Sequence, residues 1–491
     1  MTERRRELRF ERRMSDAEAL MWHVEKDPWL NPNGGMVTIL DRPVDFEQFR
    51  HRMSYALAAI PRLRERVVPG FGRLSPPVWS TDAELDFDYH LRHLSLPAGG
   101  TVRDLFDLAT RLYEDPFDRT RPLWQFVVVD GLPDGRGALF WKMHHSITDG
   151  IGAVRLSELY MERDREAPPP PEVDLEQVIA GSLADEAGEA GGKGGDRSAG
   201  LLATAVSSVG HLWRRQAGMA RRGAAELALW GADPWRLVDL GEGALANVQS
   251  LYSQLAGDGD VPGGSPLWRN RSRHRHLERL RVPLADARAT GKALGGSVND
   301  FFVSGAVAGA RAYHAARGVD VDAFNISFVV STRTDEAIGG NSFTPTRVQV
   351  PGTAMPPAAL FAEVRDRMAV RRAGVRGQGA LSGLAGVANL LPTSVVTRVA
   401  RSQAGRMDFA TSNLRAAPFP MFISGAEVLE NVTMGPVAGT AFNLTTISYN
   451  GSLDMGLFVD PAAVADPAAL RACLEDAYGE LTSCTRRAAD P

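Results

Sequence analysis

Hydrophobic residues recur at helical spacing from Phe46 to Ala59. They do so again from Val102 to Tyr113, where Val102, Leu105, Phe106, Leu108, Ala109 and Leu112 are the apolar positions. The pattern then changes. Gln125-Phe126-Val127-Val128-Val129-Asp130 and Ala138-Leu139-Phe140-Trp141 are strand-like runs, and the turn residues from Gly131 to Gly137 between them predict a hairpin. A helix-like run follows from Ile151 to Tyr160, and Pro168-Pro169-Pro170-Pro171 stops it. Residues 181–200, rich in Gly, Ala and acidic side chains, predict a flexible linker. From 201 to 255, Val206, Val209, Trp213, Ala220, Ala224 and Leu227 fall on one helical face with Arg214, Arg215, Arg221 and Arg222 off it. Such a helix binds a membrane surface or packs its stripe on the protein; the pattern fits both.

Order resumes near residue 265. Ser297 and Asp300 have capping-box spacing ahead of a helix through Tyr313. Strands over Phe324–Val330 and Arg347–Val350, a helix from Pro357, and strands at Asp408–Leu414, Thr445–Tyr449 and Leu453–Val459 come next, and Asp466-Pro467 opens a final helix. Elements before and after the linker follow a similar order. The chain therefore divides into an N-terminal α/β half (1–165), a linker with a helical crossover (166–260) and a C-terminal α/β half (261–491).

At 491 residues, two domains are the default. A net charge of −4 argues against nucleic-acid binding, which favours a basic domain. The only cysteines, Cys473 and Cys484, are far from any His-rich segment, so no disulfide framework or Cys-rich metal site is expected and a reducing cytoplasm fits. No apolar region follows the Arg-rich stretch Arg4–Arg13, and no run of about 18 apolar residues occurs, so neither a secretory signal nor a spanning helix is expected. That basic stretch suits either contact with anionic lipid or a solvated tail. Arginines and histidines between Arg269 and Arg281 suit a phosphate-bearing ligand or a charged edge strand.

The chemistry concentrates in His144-His145-Ser146-Ile147-Thr148-Asp149-Gly150, between a strand and a helix. Strand parity puts His145 on the face of Leu139, Trp141 and Met143, and His144 on the face of Phe140 and Lys142. The two imidazoles should therefore have different roles. Histidine titrates near neutral pH and suits a general base. Asp149 either orients an imidazole or pairs with an arginine to fix the loop. Gly150 leaves room for close approach to the backbone. An adjacent His pair is poor for a metal site, and no Gly-x-Ser-x-Gly elbow is present.

This heptad matches the signature of the CoA-dependent acyltransferase superfamily. With Pro122-Leu123-Trp124, Asn299-Asp300, Ser331-Thr332-Arg333, Thr411-Ser412-Asn413 and the start Met14–Trp22, in that order, the chain resembles the bacterial wax ester synthase/diacylglycerol acyltransferase family. It departs from the family pattern at Phe301-Phe302-Val303 and at Leu414-Arg415-Ala416-Ala417-Pro418. The resemblance implies two chloramphenicol-acetyltransferase-like domains forming a pseudo-dimer, with an active-site tunnel between them. It implies acyl transfer from acyl-CoA to diacylglycerol or a long-chain alcohol, with acyl-CoA a substrate and no cofactor. His145 would be the base, in a catalytic group with His144 and Asp149; Arg333 would pair with Asp149. Ser412 or Asn413 would bind the oxyanion or substrate. Asn299 and Asp300 would shape the site, or Asp300 would only cap its helix, and Pro122 and Trp124 would be structural supports. A lipid acceptor implies peripheral contact with the inner membrane face or lipid droplets. A glycolipid, polyketide or amine acceptor, and a non-catalytic lipid-binding role, are the alternatives.

Overall fold

The hairpin expected ahead of the histidine pair is the centre of a larger sheet. A computed structural model describes residues 10–70, 76–148, 150–190, 264–331, 343–376, 393–436 and 439–489. Its first part runs α1 (Asp16–Val24), β1 (Asn33–Leu40), α2 (Phe46–Ala59), β2 (Glu65–Val68), β3 (Val78–Thr81), α3 (Phe87–His90), β4 (Leu91–Ser95), α4 (Val102–Glu114), β5 (Trp124–Asp130), β6 (Gly137–His144), α5 (Gly150–Ser157) and α6 (Leu175–Ala190). After residue 263 come β7 (His276–Pro283), α7 (Leu284–Ala293), α8 (Val298–Ala315), β8 (Ala323–Ser331), β9 (Phe343–Pro351), α9 (Pro357–Arg376) and α10 (Thr393–Gly405). The chain closes with β10 (Phe409–Arg415), β11 (Phe422–Ile423), β12 (Ala426–Met434), β13 (Phe442–Tyr449), β14 (Ser452–Val459) and α11 (Pro467–Ala489).

Two mixed sheets dominate. One has the order β11-β12-β1-β6-β5-β4, the other β7-β14-β13-β10-β8-β9. β5 lies inside its sheet, and its apolar run is why: Val127, Val128 and Val129 are fully buried, as a strand covered on both faces requires. The caps follow the sequence. Thr101 and Asp104 form a capping box on α4, as do Ser297 and Asp300 on α8.

One expectation is corrected, and of the two readings of the Arg269–Arg281 stretch the charged edge strand is the one seen, since β7 ends its sheet. Residues 181–190 are not a flexible linker; they belong to α6. Glu186 holds that helix down by accepting from the Thr81 backbone N–H at 2.7 Å and the Thr81 hydroxyl at 2.6 Å, and Ser182 accepts from Arg64 Nε at 3.2 Å. Polar ties of this kind leave no apolar period in the sequence. The arginines of β7 do not form an open anion site. Arg281 Nε is 2.8 Å from Asp454 Oδ1, and Arg279 pairs with Glu430. The amphipathic stretch at 201–255 and the arginines before residue 10 lie outside the described residues. Among the described residues no helix is long and apolar enough to cross a membrane.

The sheets also do not follow the linker. β12, from the C-terminal part, pairs antiparallel with β1, with Gly35 opposite Met434 and Val37 opposite Val432. β12 then abuts the other sheet. The Thr38 hydroxyl donates to Asn431 Oδ1 at 3.0 Å, the Asn431 N–H to Asp454 Oδ2 at 2.9 Å, and the Thr433 hydroxyl to the Thr445 carbonyl at 2.6 Å. Val37, Phe140 and Val432 share one apolar cluster with Leu277 and Phe458 of the second sheet. Closest of all is Gly456, where a Cβ would fall 1.7 Å from the Thr433 carbonyl oxygen. Only a glycine lets these two backbones meet.

Gly456→Ala should therefore lower unfolding stability by about 1–3 kcal/mol, since the obstructing atom is backbone and cannot rotate away. Gly479→Ala, on α11 with nothing within 4 Å of the added carbon, should be neutral or raise stability by about 0.5–1 kcal/mol. Urea unfolding of the two variants checks both; equal effects would remove the seam's special role.

Candidate active site

Between the sheets lies a cavity of about 1060 Å³. β1, β6 and α5 form one wall through Gly34, Met36, Trp141, Met143, His145 and Ala153; β10, β12 and β13 form the other, including Ser412, Asn413, Asn431, Thr433 and Thr445. Most of its surface is apolar, as for a site that takes hydrocarbon.

Strand parity is seen directly. Trp141, Met143 and His145 line the cavity, whereas Lys142 and His144 point behind the sheet and are buried. His145 sits just past the end of β6, and its N–H donates to the Pro32 carbonyl at 3.2 Å. Gly34 bares the imidazole: a Cβ there would lie 3.5 Å from His145 Nε2. A side chain on that residue would pack against the Nε2 edge of the ring.

His144 has a different environment. It is 0% exposed, and its Nδ1 accepts from the Ser146 N–H at 3.0 Å, with the Ser146 hydroxyl 2.6 Å away. This network assigns the ring proton to Nε2, which faces Glu25 Oε2 at 3.4 Å. Burial pushes the Glu25 carboxyl up, but the close approach of His144, with Arg119 and Lys142, outweighs it and holds the group below the usual range. Arg119 lies 3.6 Å from the same carboxylate and stacks over Trp22. Lys142 Nζ donates to the carbonyls of Leu112 and Asp115, each at 2.8 Å, and burial lowers its pKa to about 8. These groups brace the strand end from behind; they do not reach the cavity.

Pro122-Leu123-Trp124 also sits away from the cavity. The Trp124 indole N–H donates to the Leu63 carbonyl at 2.6 Å, its ring stacks on His90, and the Leu123 carbonyl accepts the His144 N–H at 2.9 Å. Pro122 is buried. The motif thus fixes the backbone that carries the histidines.

From the second half, Ser412 and Asn413 reach the cavity on β10, in parallel register with Thr445 and Thr446 of β13. Asn299 touches the site indirectly, accepting from Asn413 Nδ2 at 3.2 Å. Asp300 is not among the lining residues. Its carboxylate caps α8 and meets Arg372 NH2 at 3.1 Å, so its contacts are structural. Gly150 lines the cavity and also gives room to a neighbouring side chain: a Cβ there would be 2.5 Å from Leu414 Cδ2. Asp149 and Arg333, and hence their expected pairing, lie outside the described residues. Among the described residues, no group of three His, Cys, Asp or Glu side chains is arranged to hold a metal ion.

Sequence reasoning missed the β1 and β12–β13 walls. The Gly34-Gly35 pair was the available signal for a close approach; Asn431, Thr433 and Thr445 carried none.

A family profile described as the wax ester synthase/diacylglycerol acyltransferase catalytic domain matches residues 14–302. The chain belongs to the wax ester synthase/diacylglycerol acyltransferase family. The profile for that family's C-terminal domain matches residues 339–482. A Mycobacterium tuberculosis protein, named provisionally as a diacylglycerol O-acyltransferase, is 28% identical over 477 residues, covering 96% of this chain and 92% of its own. The wax ester synthase/diacylglycerol acyltransferase of Marinobacter aquaeolei VT8 superposes with a TM-score of 0.62 at 17% identity, over 96% of this chain and 100% of that one. The first condensation domain of the calcium-dependent antibiotic synthetase superposes at 0.56 and 16% identity, over 97% of this chain and 96% of its own. The fold is thus the two-domain, chloramphenicol-acetyltransferase-like α/β arrangement of this superfamily, and the protein is an acyltransferase.

The Gly150–Leu414 contact joins the histidine motif to the strand bearing Ser412 and Asn413. Gly150→Val should push β10 away and lower turnover about tenfold or more, because small misplacements of facing groups are costly. Adding Leu414→Ala should restore most of it. Steady-state kinetics of the single and double variants test this, and absence of rescue would dissociate the contact from catalysis.

Proposed function

We propose that this acyltransferase moves a fatty acyl group from acyl-CoA to a lipid hydroxyl, either diacylglycerol or a long-chain alcohol, giving triacylglycerol or wax ester. The observation that supports it best is a single one. The histidine of the motif that faces the cavity, His145, lies in a large, mainly apolar space walled by both sheets. Such a space suits two hydrocarbon-bearing substrates meeting at one base.

In this reading His145 Nε2 takes the proton of the acceptor hydroxyl as its oxygen attacks the thioester carbonyl. The tetrahedral intermediate collapses, the carbon–sulfur bond breaks, and the imidazolium returns the proton to the departing thiolate. General-base assistance contributes about 10²–10⁴-fold. Alignment of two bulky substrates supplies much of the remainder. We assign oxyanion or substrate hydrogen bonding to Ser412 or Asn413, a bracing role to His144, and a loop-fixing role to Asp149 with Arg333. Acyl-CoA is consumed as a substrate, and the reaction needs no resident cofactor. A water-insoluble acceptor places the enzyme on the cytoplasmic face of a membrane or on a lipid droplet.

His145→Ala should abolish CoA release with diacylglycerol and long-chain alcohols, with a loss of about 10²–10⁴-fold, while the far-ultraviolet circular dichroism stays unchanged. Retained turnover in a folded variant would refute the base assignment. Products identified by mass from a panel of alcohol, diacylglycerol, glycolipid and amine acceptors decide the acceptor. Turnover confined to the last two would replace the acceptor proposed here.

A further inference from the structure

A second, much smaller void lies behind one wall of the cavity. It holds about 10 Å³, room for about one water-sized sphere. Its lining is hydrocarbon and aromatic: Met53, Ala56, Leu63, Phe126 and Leu156 on the far side. Trp141, Met143, Ala153 and Tyr160 line both spaces, so they form the partition. From His145, Met143 and Trp141 lie two and four residues back along the same face of β6, a distance of roughly 13 Å at strand rise. The apolar surface therefore runs from His145 to the partition shared with the void. Beyond that partition the packing is incomplete.

The partition is unevenly built. Tyr160 is fixed by edge contacts with Phe49 and Phe126, at centroid separations of 6.1 and 5.3 Å. Met143 is a flexible thioether, the side chain best able to move aside or fill irregular space. Ala153, on α5, is half-buried and small, so it leaves the cavity end wider than any other residue in that position except glycine would.

We propose that this end of the cavity receives the methyl end of a substrate alkyl chain, and that Met143 and Ala153 set how long a chain fits. The donor acyl chain and the acceptor chain share the chemistry that would bind there. The proposal rests on the lipid acyltransferase reading above. Ala153 controls the width of the space, and Met143 separates it from the void. Cutting back the wall at Met143 joins the two spaces and admits longer chains; adding bulk at Ala153 shortens the space.

The test pairs two variants with opposite expected effects. Ala153→Leu should lower kcat/KM for the longest chains by about tenfold relative to the shortest. Met143→Ala should move the optimum to longer chains. In one arm the acyl-CoA chain is varied from octanoyl to octadecanoyl with one fixed acceptor; in the other, the alcohol chain is varied with one fixed donor. The arm whose profile moves identifies the chain that occupies the end. A binding measurement does not depend on turnover: hexadecanoic acid brominated at its methyl end should quench Trp141 fluorescence more than the acid brominated next to its carboxyl. Trp141→Phe should abolish that difference. Chain-length profiles unmoved in both arms, or equal quenching by the two probes, would overturn the proposal. Absence of turnover in the wild type, with the quenching difference intact, would overturn only the acyltransfer reading and leave an alkyl-binding end.

Discussion

The pairing of β12 with β1 is the constraint on which the site depends. β1 lies between β12 and the histidine-bearing strand β6, so one strand sets both the far wall and the base. Asn33 is opposite His144 and Gly34 opposite Met143 on one side of β1, while Gly35 is opposite Met434 on the other. Long sequence separation is no great obstacle. The Thr38–Asn431 hydrogen bond spans 393 residues, yet the entropy of closing a loop rises only by about 0.6 kcal/mol with each doubling of length. A full antiparallel ladder, buried threonine and asparagine hydrogen bonds, and an apolar cluster across the seam outweigh that increment. The cavity is then a consequence of geometry. The two sheets approach closely at Gly456, and the cavity lies between them, lined by strands of both.

The adjacent histidines show how one strand end serves two purposes. His145 must remain open to the cavity, and Gly34 permits this. His144 must not move, because its backbone is the last rung of β6 and its neighbour, His145, is the base in the function proposed above. Its ring is therefore held on both nitrogens, by Ser146 and by Glu25. A buried carboxylate in that place is costly unless compensated. Arg119 and the hydrogen-bonded His144 supply the compensation, and Lys142, its ammonium anchored on two carbonyls, adds a more distant positive charge. Fixed polar groups behind the sheet thus leave the cavity side free to be apolar, which hydrocarbon substrates require.

Much of this was readable from residue order. The period of two along Trp141, Met143 and His145 separated cavity from support before any coordinates. The apolar run in β5, the capping box at Ser297 and Asp300, and Asp466 ahead of α11 each follow from local chemistry, so local sequence sufficed. The missing pieces are those whose cause is distant. β12 contains Glu427, Glu430 and Asn431, and its polar side chains make sense only beside Arg165, Arg279 and Thr38. Likewise α6 has the composition of a linker, and Glu186 becomes intelligible only against Thr81. Gly150 illustrates the same point in the other direction. A motif glycine suggests room for substrate, and it also gives room to Leu414, on a strand more than half the chain away, which no local pattern shows.

That contact also bears on why the family motif and the second half are interdependent. Leu414 is where the sequence departs from the family pattern, and it packs on the glycine that ends the heptad. A strand that packs on the motif cannot drift without moving the turn that carries His145. Ser412 and Asn413 are two and one residues before Leu414, so their positions are set by the same packing. The relation between His145 and the facing wall is therefore set in part by this van der Waals contact, alongside the hydrogen bonds that join β12 to the second sheet. In the function proposed above the site admits bulky apolar chains. A polar bridge across the space would block it, whereas a contact at its edge fixes both walls and leaves the middle open.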